Sequence, residues 1–348
     1  MKHPYSIHQY TDYPVEDILD VLRVSLGDTS AAKPKTADVF HWEHKENIFG
    51  YSYGIVVVAE GRVIGARLLL RWRFRRPDGT NITAARAVST ATHPTHQGRG
   101  IFSVLTAQSV VDLSKEGVQC IFNTPNEKSM PKYLKLGWTV TAALPLYAYI
   151  QRPIRVSVRA ILGKTSRQRV PKHGEVFTPE VLSPADFLQK ISQEELDRFC
   201  VAASRSCHVA GYATERTGAY IRWRYLEYPV QSYGLYLHLE GPRLVGLAVL
   251  RRNERNTMRE VVVSELLVEG GSAEEYQRLV DGVIRNVHAD YLVAHFKPGS
   301  VPLRSIRRAG FIRVPFKSVV FTTKRLVGDG DLSSGKSWDL SLGDLELF

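Results

Sequence analysis

The stretch from Thr92 to Phe102, reading THPTHQGRGIF, carries residue types at a spacing suited to holding an anion. Gly98 and Gly100 let backbone N–H groups approach a ligand with no Cβ in the way. A helix beginning at Ile101 would add first-turn amides that have no partner within the helix, together with the positive end of its dipole. Arg99 contributes a mobile positive charge. The chemistry implied is recognition of a phosphate or pyrophosphate. The spacing is neither GxGxxG nor a phosphate loop ending in GK[ST]; it is Gln97-Gly98-Arg99-Gly100-Ile101-Phe102, or Q-x-x-G-x-F.

A second patch runs from Asn126 through Glu127, Ser129 and Tyr133 to Leu136-Gly137-Trp138. With the two patches in this order, separated by one helix and one short strand, the chain resembles the GNAT superfamily of acyl-CoA-dependent N-acyltransferases. That family's loop is Q/R-x-x-G-x-G/A, with Phe102 here at the last small position. Its second stretch is N-x-x-A-x-x-x-Y-x-x-x-G-F, with Ser129 here for Ala and Trp138 for Phe. The resemblance covers residues 1–150. It implies acetyl-CoA as co-substrate, held by Gln97, Gly98, Arg99, Gly100, Ile101 and Phe102. It further implies that Asn126 hydrogen-bonds the cofactor's amide arm and that the backbone of Thr90 to Thr92 pairs with the pantetheine as an added strand would. The amide near Thr92 would serve the oxyanion, and Tyr133 would protonate the departing thiolate.

Acyl transfer from a thioester to an amine needs a base for the amine, a donor for the developing oxyanion and a proton for the thiolate. It needs no covalent intermediate, so no Ser or Cys nucleophile is sought. The base is left open. His93 stands beside the loop and imidazole is a usual base near neutral pH, but a His before Pro94 also reads as a surface residue. Glu127, a carboxylate of the tail, the terminal carboxyl of Phe348 and a water relay are the other options.

These residues need positioning elements. Tyr5 to Tyr10 reads as a first strand, followed by a helix that Asp12 caps, with Pro14 in its first turn and Gly27 at its end. Ala37 to Glu46 reads as a short helix. Strands are expected at Gly54 to Ala59, Val63 to Arg73 and Ala84 to Ala91, then a helix from Ile101 to Lys115. A strand Val118 to Asn123, a helix Met130 to Lys135 and a strand Trp138 to Ile150 complete the first unit. The expected class is α/β with a mixed sheet.

The second half echoes the first. Trp42-Glu43-His44-Lys45-Glu46 resembles Trp223-Arg224-Tyr225-Leu226-Glu227, Tyr53-Gly54-Ile55 resembles Tyr233-Gly234-Leu235, and Leu136-Gly137-Trp138 resembles Ala309-Gly310-Phe311. A nearly constant offset predicts two tandem copies of one GNAT-like domain. Helix Ala273 to His288 follows Glu269-Gly270-Gly271-Ser272, where Glu269, Glu274 and Glu275 would repel pyrophosphate and suit a capped helix start. Only the N-terminal copy is then expected to bind acyl-CoA. The division expected is 1–150, a catalytic acyl-CoA-binding domain; 151–174, a basic linker; 175–327, a degenerate copy; and 328–348, an acidic tail. Trp338, Leu340, Leu342, Leu345 and Leu347 in the tail alternate as in a strand, and its acids suit folding back onto a basic body.

With 348 residues the chain has room for two domains. Its hydrophobic content of 44% and mean hydropathy of −0.17 are those of a soluble globular protein. No apolar run nears the roughly 18 to 20 residues of a membrane span, and Met1 to Pro14 has no apolar core of a secretory signal. Cys120, Cys200 and Cys207 lack metal-ligand spacing, so no metal is expected and the expected compartment is the cytoplasm. A net charge of +11 attracts anions such as coenzyme A. The expected activity is transfer of an acetyl or short acyl group to a primary amine of an amino sugar, small metabolite or peptide. The alternatives are a non-catalytic binding module whose basic surface takes nucleic acid or an acidic glycan, and a Fem-like transferase using aminoacyl-tRNA. The Q-x-x-G pattern favours coenzyme A, so nucleic acid is not the expected partner.

Overall fold

Runs of apolar and β-branched residues become the strands of one continuous sheet. The structure is a computed structural model that describes residues 5–27, 34–162, 176–206, 211–230, 233–255 and 258–345. The first half runs β1 (Ser6–Gln9), α1 (Val15–Leu26), α2 (Ala37–His44), β2 (Tyr53–Ala59), β3 (Arg62–Arg75) and β4 (Asn81–Thr92). It continues with α3 (Ile101–Lys115), β5 (Cys120–Asn123), α4 (Met130–Lys135) and β6 (Thr139–Ile150). Helix α5 (Pro153–Leu162) leads out of it. The second half runs β7 (Val181–Leu182), α6 (Pro184–Lys190), α7 (Gln193–Ser206), β8 (Tyr212–Thr214) and α8 (Gly218–Ile221), which passes into a π turn at Arg222–Leu226. Then come β9 (Tyr233–Glu240), β10 (Arg243–Arg255), β11 (Met258–Val268), α9 (Ala273–Asn286), β12 (Tyr291–Ala294), α10 (Val301–Arg308) and β13 (Ile312–Arg325). The tail holds β14 (Trp338–Asp339) and α11 (Leu342–Leu345).

The sheet order is β1-β2-β3-β4-β5-β13-β6-β12-β11-β10-β9-β7, with β8 bridging β3 and β14. From β2 to β6 and from β9 to β13 the element order is the same. The last strand of each half crosses to the other: β13 pairs β5, β6 pairs β12, and β6 and β13 pair with each other, all antiparallel. The two echoing tryptophans meet where the halves join. Trp42 and Trp223 stack at 5.2 Å, and each indole N–H donates to the other's backbone carbonyl at 2.7 and 3.0 Å. Both are almost fully buried, so each polar N–H needs the partner it has.

Two local expectations, the cap of α1 and the strand of the tail, give way to the structure, and the basic stretch between the halves takes a definite form over its first residues. Asp12 does not cap α1: Tyr10–Asp12 forms a 3-10 turn, and the helix enters from Pro14 with no side-chain cap. The stretch expected as a basic linker is helical over Pro153–Leu162, and Arg155 Nε lies 3.4 Å from buried Asp290; its Lys164, Arg167, Arg169 and Lys172 lie outside the described residues. Among its described residues the tail is a strand only at Trp338–Asp339 and then turns helical, because Ser341 and Asp344 form a reciprocal cap in which each side chain accepts from the other's backbone N–H, at 2.7 and 3.4 Å; Leu347 lies outside the described residues. The tail does fold back onto basic residues. Asp344 accepts from Arg216 Nη2 at 2.7 Å, and the carbonyls of Gly343 and Leu345 accept from Arg224 and Arg86.

Candidate functional site

Strand β4 creates the site by outrunning its neighbour. It pairs with parallel β5 only at Ala84, Ala85 and Arg86, then continues to Thr92 with β3 as its partner. Leu68 faces Ser89 and Leu69 faces Ala87, so Val88 is an extra, bulged residue where the two parallel strands part. The edge of β4 beyond that bulge is without a strand partner among the described residues, which leaves backbone groups for an extended ligand.

At the end of that edge the chain makes a 3-10 turn, Pro94–His96, and enters α3 through Gly100. Gly98 and Gly100 both sit at φ 78°, and a Cβ at either would meet no protein atom within 4 Å. The glycines are therefore needed for backbone conformation and for nothing they pack against. Gly100 offers no side chain to cap the helix, so the first-turn amides keep their capacity for an anion. Gln97 folds back: its Nε2 donates to Thr92 O at 3.1 Å, and the same carbonyl accepts from Ser25 Oγ at 3.0 Å. Thr92 O is thus occupied. His93 is also engaged locally, capping the 3-10 turn and meeting Thr95 Oγ1 at 2.8 Å. Arg99 is exposed and reaches Thr95 O at 3.4 Å.

Tyr133, in α4, lies on the face of the sheet that α3 covers, within a core of Ile55, Leu69, Ile101, Leu105 and Trp138. It is 5% exposed. Its hydroxyl accepts from Arg67 Nη1 at 3.3 Å, which leaves the phenolic proton available to another acceptor. Phe102, half-buried in the first turn of α3, sets its ring edge against Tyr133 at 5.4 Å. The site therefore brings Thr90, Phe102 and Tyr133 together around Arg67, a residue that motif spacing does not single out. A signal for it does exist in the sequence: a lone cation inside Ile64-Gly65-Ala66-Arg67-Leu68-Leu69-Leu70, an otherwise apolar strand. Asn126 uses its side-chain oxygen as a loop cap, accepting from Lys128 N at 3.1 Å and Ser129 N at 2.9 Å. Glu127 is exposed, and Phe348 lies outside the described residues.

The corresponding region of the second half is built otherwise. Helix α9 is capped by Ser272, whose hydroxyl accepts from Glu275 N at 3.4 Å, and Glu269 is clamped by Arg198 at 2.9 Å and by Arg243. A cavity of about 800 Å³ opens there, lined by Arg76, Arg216, Glu265, Tyr276, Phe296 and Arg304 among others. Its size alone does not make it a pyrophosphate site, since the amides are capped and acids stand at the helix start. Burial pushes the Glu265 carboxyl up to about 7, against the opposing pull of Arg216 at 2.9 Å. The thiols of Cys120 and Cys200 are buried, which pushes each up to about 12 and makes them poor nucleophiles. Among the described residues no group of three or more His, Cys, Asp or Glu could hold a metal, and no helix is long and apolar enough to cross a membrane.

Comparison with known proteins places the fold. Residues 6–141 match a family described as "Acetyltransferase (GNAT) domain", which is less than half of the chain. No curated protein matches the sequence. Among solved structures, a GCN5-related N-acetyltransferase from Kribbella flavida superposes with a TM-score of 0.62 at 16% identity, covering 92% of this chain and 72% of that one. One from Anabaena variabilis gives 0.61 at 10% identity over 93% and 73%. Eis1 from Mycobacterium abscessus gives 0.54 at 16% identity over 92% and 73%. At these identities the likeness is one of fold, and the chain has the fold of GNAT-superfamily acetyltransferases.

Proposed function

We propose that the first half transfers an acetyl or other short acyl group from acyl-coenzyme A to a primary amine, on an amino sugar, a small metabolite or a peptide. On this reading the chain is two GNAT-like copies, 1–150 active and 175–327 degenerate, and the second copy completes the acceptor cleft. The single observation that carries the reading is the junction of an uncapped glycine helix start with the unpaired edge of β4, and Tyr133 beside it. The diphosphate takes the amides of Gly98 to Phe102. The pantetheine runs back along β4 from Thr92 toward Val88. Asn126 contacts it through its side-chain N–H, because its oxygen is already used.

The amine nitrogen attacks the thioester carbonyl and passes its proton to a base or water. The C–N bond forms, the C–S bond breaks, and the thiolate takes a proton from Tyr133. Arg67 holds the phenol by its oxygen, so the O–H points away from the arginine and toward the ligand. The acceptor amine is carried by a small molecule, a glycan or a peptide, and the protein works in the cytoplasm without a metal.

Isothermal calorimetry with coenzyme A tests the reading. Binding at one site per chain is expected, and thiol release from acetyl-CoA on adding the right amine. A protein that binds no coenzyme A refutes it. The rival, a binding module without catalysis, draws on the Phe102 ring packed on Tyr133; salt-sensitive retention of nucleic acid or an acidic glycan, with no cofactor binding, would favour it.

A further inference from the structure

Arg67 is 0% exposed. Its Nη1 donates to Thr90 Oγ1 at 3.1 Å and to Tyr133 Oη at 3.3 Å. Its Nε and Nη2 are buried and have no hydrogen-bond partner among the described residues. The guanidinium lies 5.8 Å from the Phe102 ring centroid and 5.6 Å from that of Tyr133. It is thus surrounded by two neutral hydroxyls and two aromatic rings, and no carboxylate of the described residues pairs with it. A cation held away from water in this way is costly unless something of opposite charge arrives.

The fold does not demand this arginine. The register pair Arg67–Thr90, one step before the bulge, has its counterpart in Ala248–Leu266, one step before the bulge at Ser264. Counting back from Gly137 and Gly310 pairs Tyr133 with Ile306. All three counterparts are buried in one apolar cluster. The second half thus closes the same place with hydrocarbon, and the first half has put a cation there.

The two unpartnered groups are informative. Nε–H and Nη2–H lie on the same side of the guanidinium and point in parallel, which is the side-on fork that matches both oxygens of a carboxylate. A neutral carbonyl satisfies one of the two. The same guanidinium is bonded through Nη1 to the phenol proposed to protonate the thiolate, so the fork belongs to a group in direct contact with that phenol. We infer that the acyl donor carries a terminal carboxylate, an ω-carboxyacyl-coenzyme A of the malonyl or succinyl class, and that Arg67 selects it. The carboxylate takes no part in the transfer; it anchors the far end of the acyl group.

This inference rests on the coenzyme A reading above, and the experiment separates the two. Dissociation constants are measured by calorimetry on the full chain for coenzyme A, acetyl-CoA, malonyl-CoA and succinyl-CoA. Malonyl- or succinyl-CoA is expected to bind at least tenfold more tightly than acetyl-CoA. In Arg67→Met that preference falls at least tenfold while acetyl-CoA affinity stays within threefold, and Arg67→Lys keeps part of the preference. If coenzyme A itself fails to bind, the function reading falls and this inference with it. If coenzyme A binds but wild type favours acetyl-CoA or treats the donors alike, this inference alone is overturned, with no variant needed. Equal losses for all donors in Arg67→Met, or a donor preference that survives that substitution, would also overturn it.

Discussion

Helices α3 and α9 follow the same strand in the two halves, yet their first turns are finished in opposite ways. At α3 the chain spends a left-handed glycine and leaves the amides open. At α9 Ser272 fills the cap, and Glu269, Glu274 and Glu275 supply the negative charge that the dipole favours. One start is capped by a side chain of the protein itself; the other has no side-chain cap, which is where the proposed function puts the anion. The strands repeat the lesson. Beyond its bulge β4 presents an edge with no strand partner among the described residues, whereas beside the bulge of β11 the tail comes in so closely that a Cβ on Gly343 would lie 3.1 Å from Ser264 O and 2.7 Å from Glu265 Oε1. The candidate site is a place where the fold stops short of satisfying its own backbone.

The largest expected contrast lies at the paired positions Tyr133 and Ile306. Removing the phenolic hydroxyl in Tyr133→Phe should lower turnover about a hundredfold or more, the usual contribution of a placed general acid, with coenzyme A affinity unchanged. Ile306 is 1% exposed in the apolar cluster of the second half. Ile306→Ala should cost about 2 to 5 kcal/mol of stability and leave coenzyme A affinity within twofold. Steady-state kinetics and urea melts on the two variants read this directly. Normal turnover in Tyr133→Phe would take that residue out of the mechanism, and a loss of cofactor affinity in Ile306→Ala would mean the second half binds it after all.

A smaller effect should separate the two bulges by pH. In the second half the residue after the bulge is Glu265, buried, bonded to Tyr225 Oη at 2.8 Å and to Arg216, which also holds Asp344 in the tail. Burial raises this carboxyl from 4.5 to about 7 in the folded protein. The native state therefore keeps its proton while the unfolded chain has released it, and stability falls as pH rises from about 4.5 to about 7. The shift corresponds to at most about 3 kcal/mol. The counterpart in the first half is Ser89, which does not titrate. Urea melts from pH 5 to 8 should show Glu265→Gln with a flatter profile than wild type, while Ser89→Ala keeps the wild-type slope. Identical slopes in wild type and Glu265→Gln would mean the carboxyl is already ionised in the native state.

Elements with strong local signals are legible in the amino-acid sequence. Helices Ile101–Lys115 and Met130–Lys135 have the boundaries their glycine start, apolar spacing and neighbouring Gly137 predict. The tail misleads because Trp338, Leu340 and Leu342 do alternate, while Leu342 and Leu345 are also three apart on a helix. Ser341-x-x-Asp344 is a capping box that settles the choice locally. The exchange of β6 and β13 between the halves has no sequence signal, since a strand's own pattern says which face is buried and not which neighbour it will find. The site is half legible. The glycine loop and Tyr133 stand out by spacing, but Arg67 becomes meaningful only when pairing with Thr90 and the approach of Tyr133 show that no carboxylate among the described residues neutralises it.

The finest test of the comparison substitutes alanine at the position before each helix. Ser272→Ala removes the hydroxyl that accepts from Glu275 N and should cost about 1 kcal/mol. Gly100→Ala places a Cβ where no protein atom lies within 4 Å, so its stability cost comes from the left-handed backbone at φ 78°, also about 1 to 2 kcal/mol. The two variants should melt alike, yet they should part on coenzyme A. The new methyl of Gly100→Ala points into space that a diphosphate must share, and the displaced amides no longer converge, so the dissociation constant should rise about tenfold. Ser272→Ala should leave it unchanged, because its helix start was never open to the ligand. Equal affinities in the two variants, at equal stability, would mean that the glycine serves only the turn and that the diphosphate is held elsewhere.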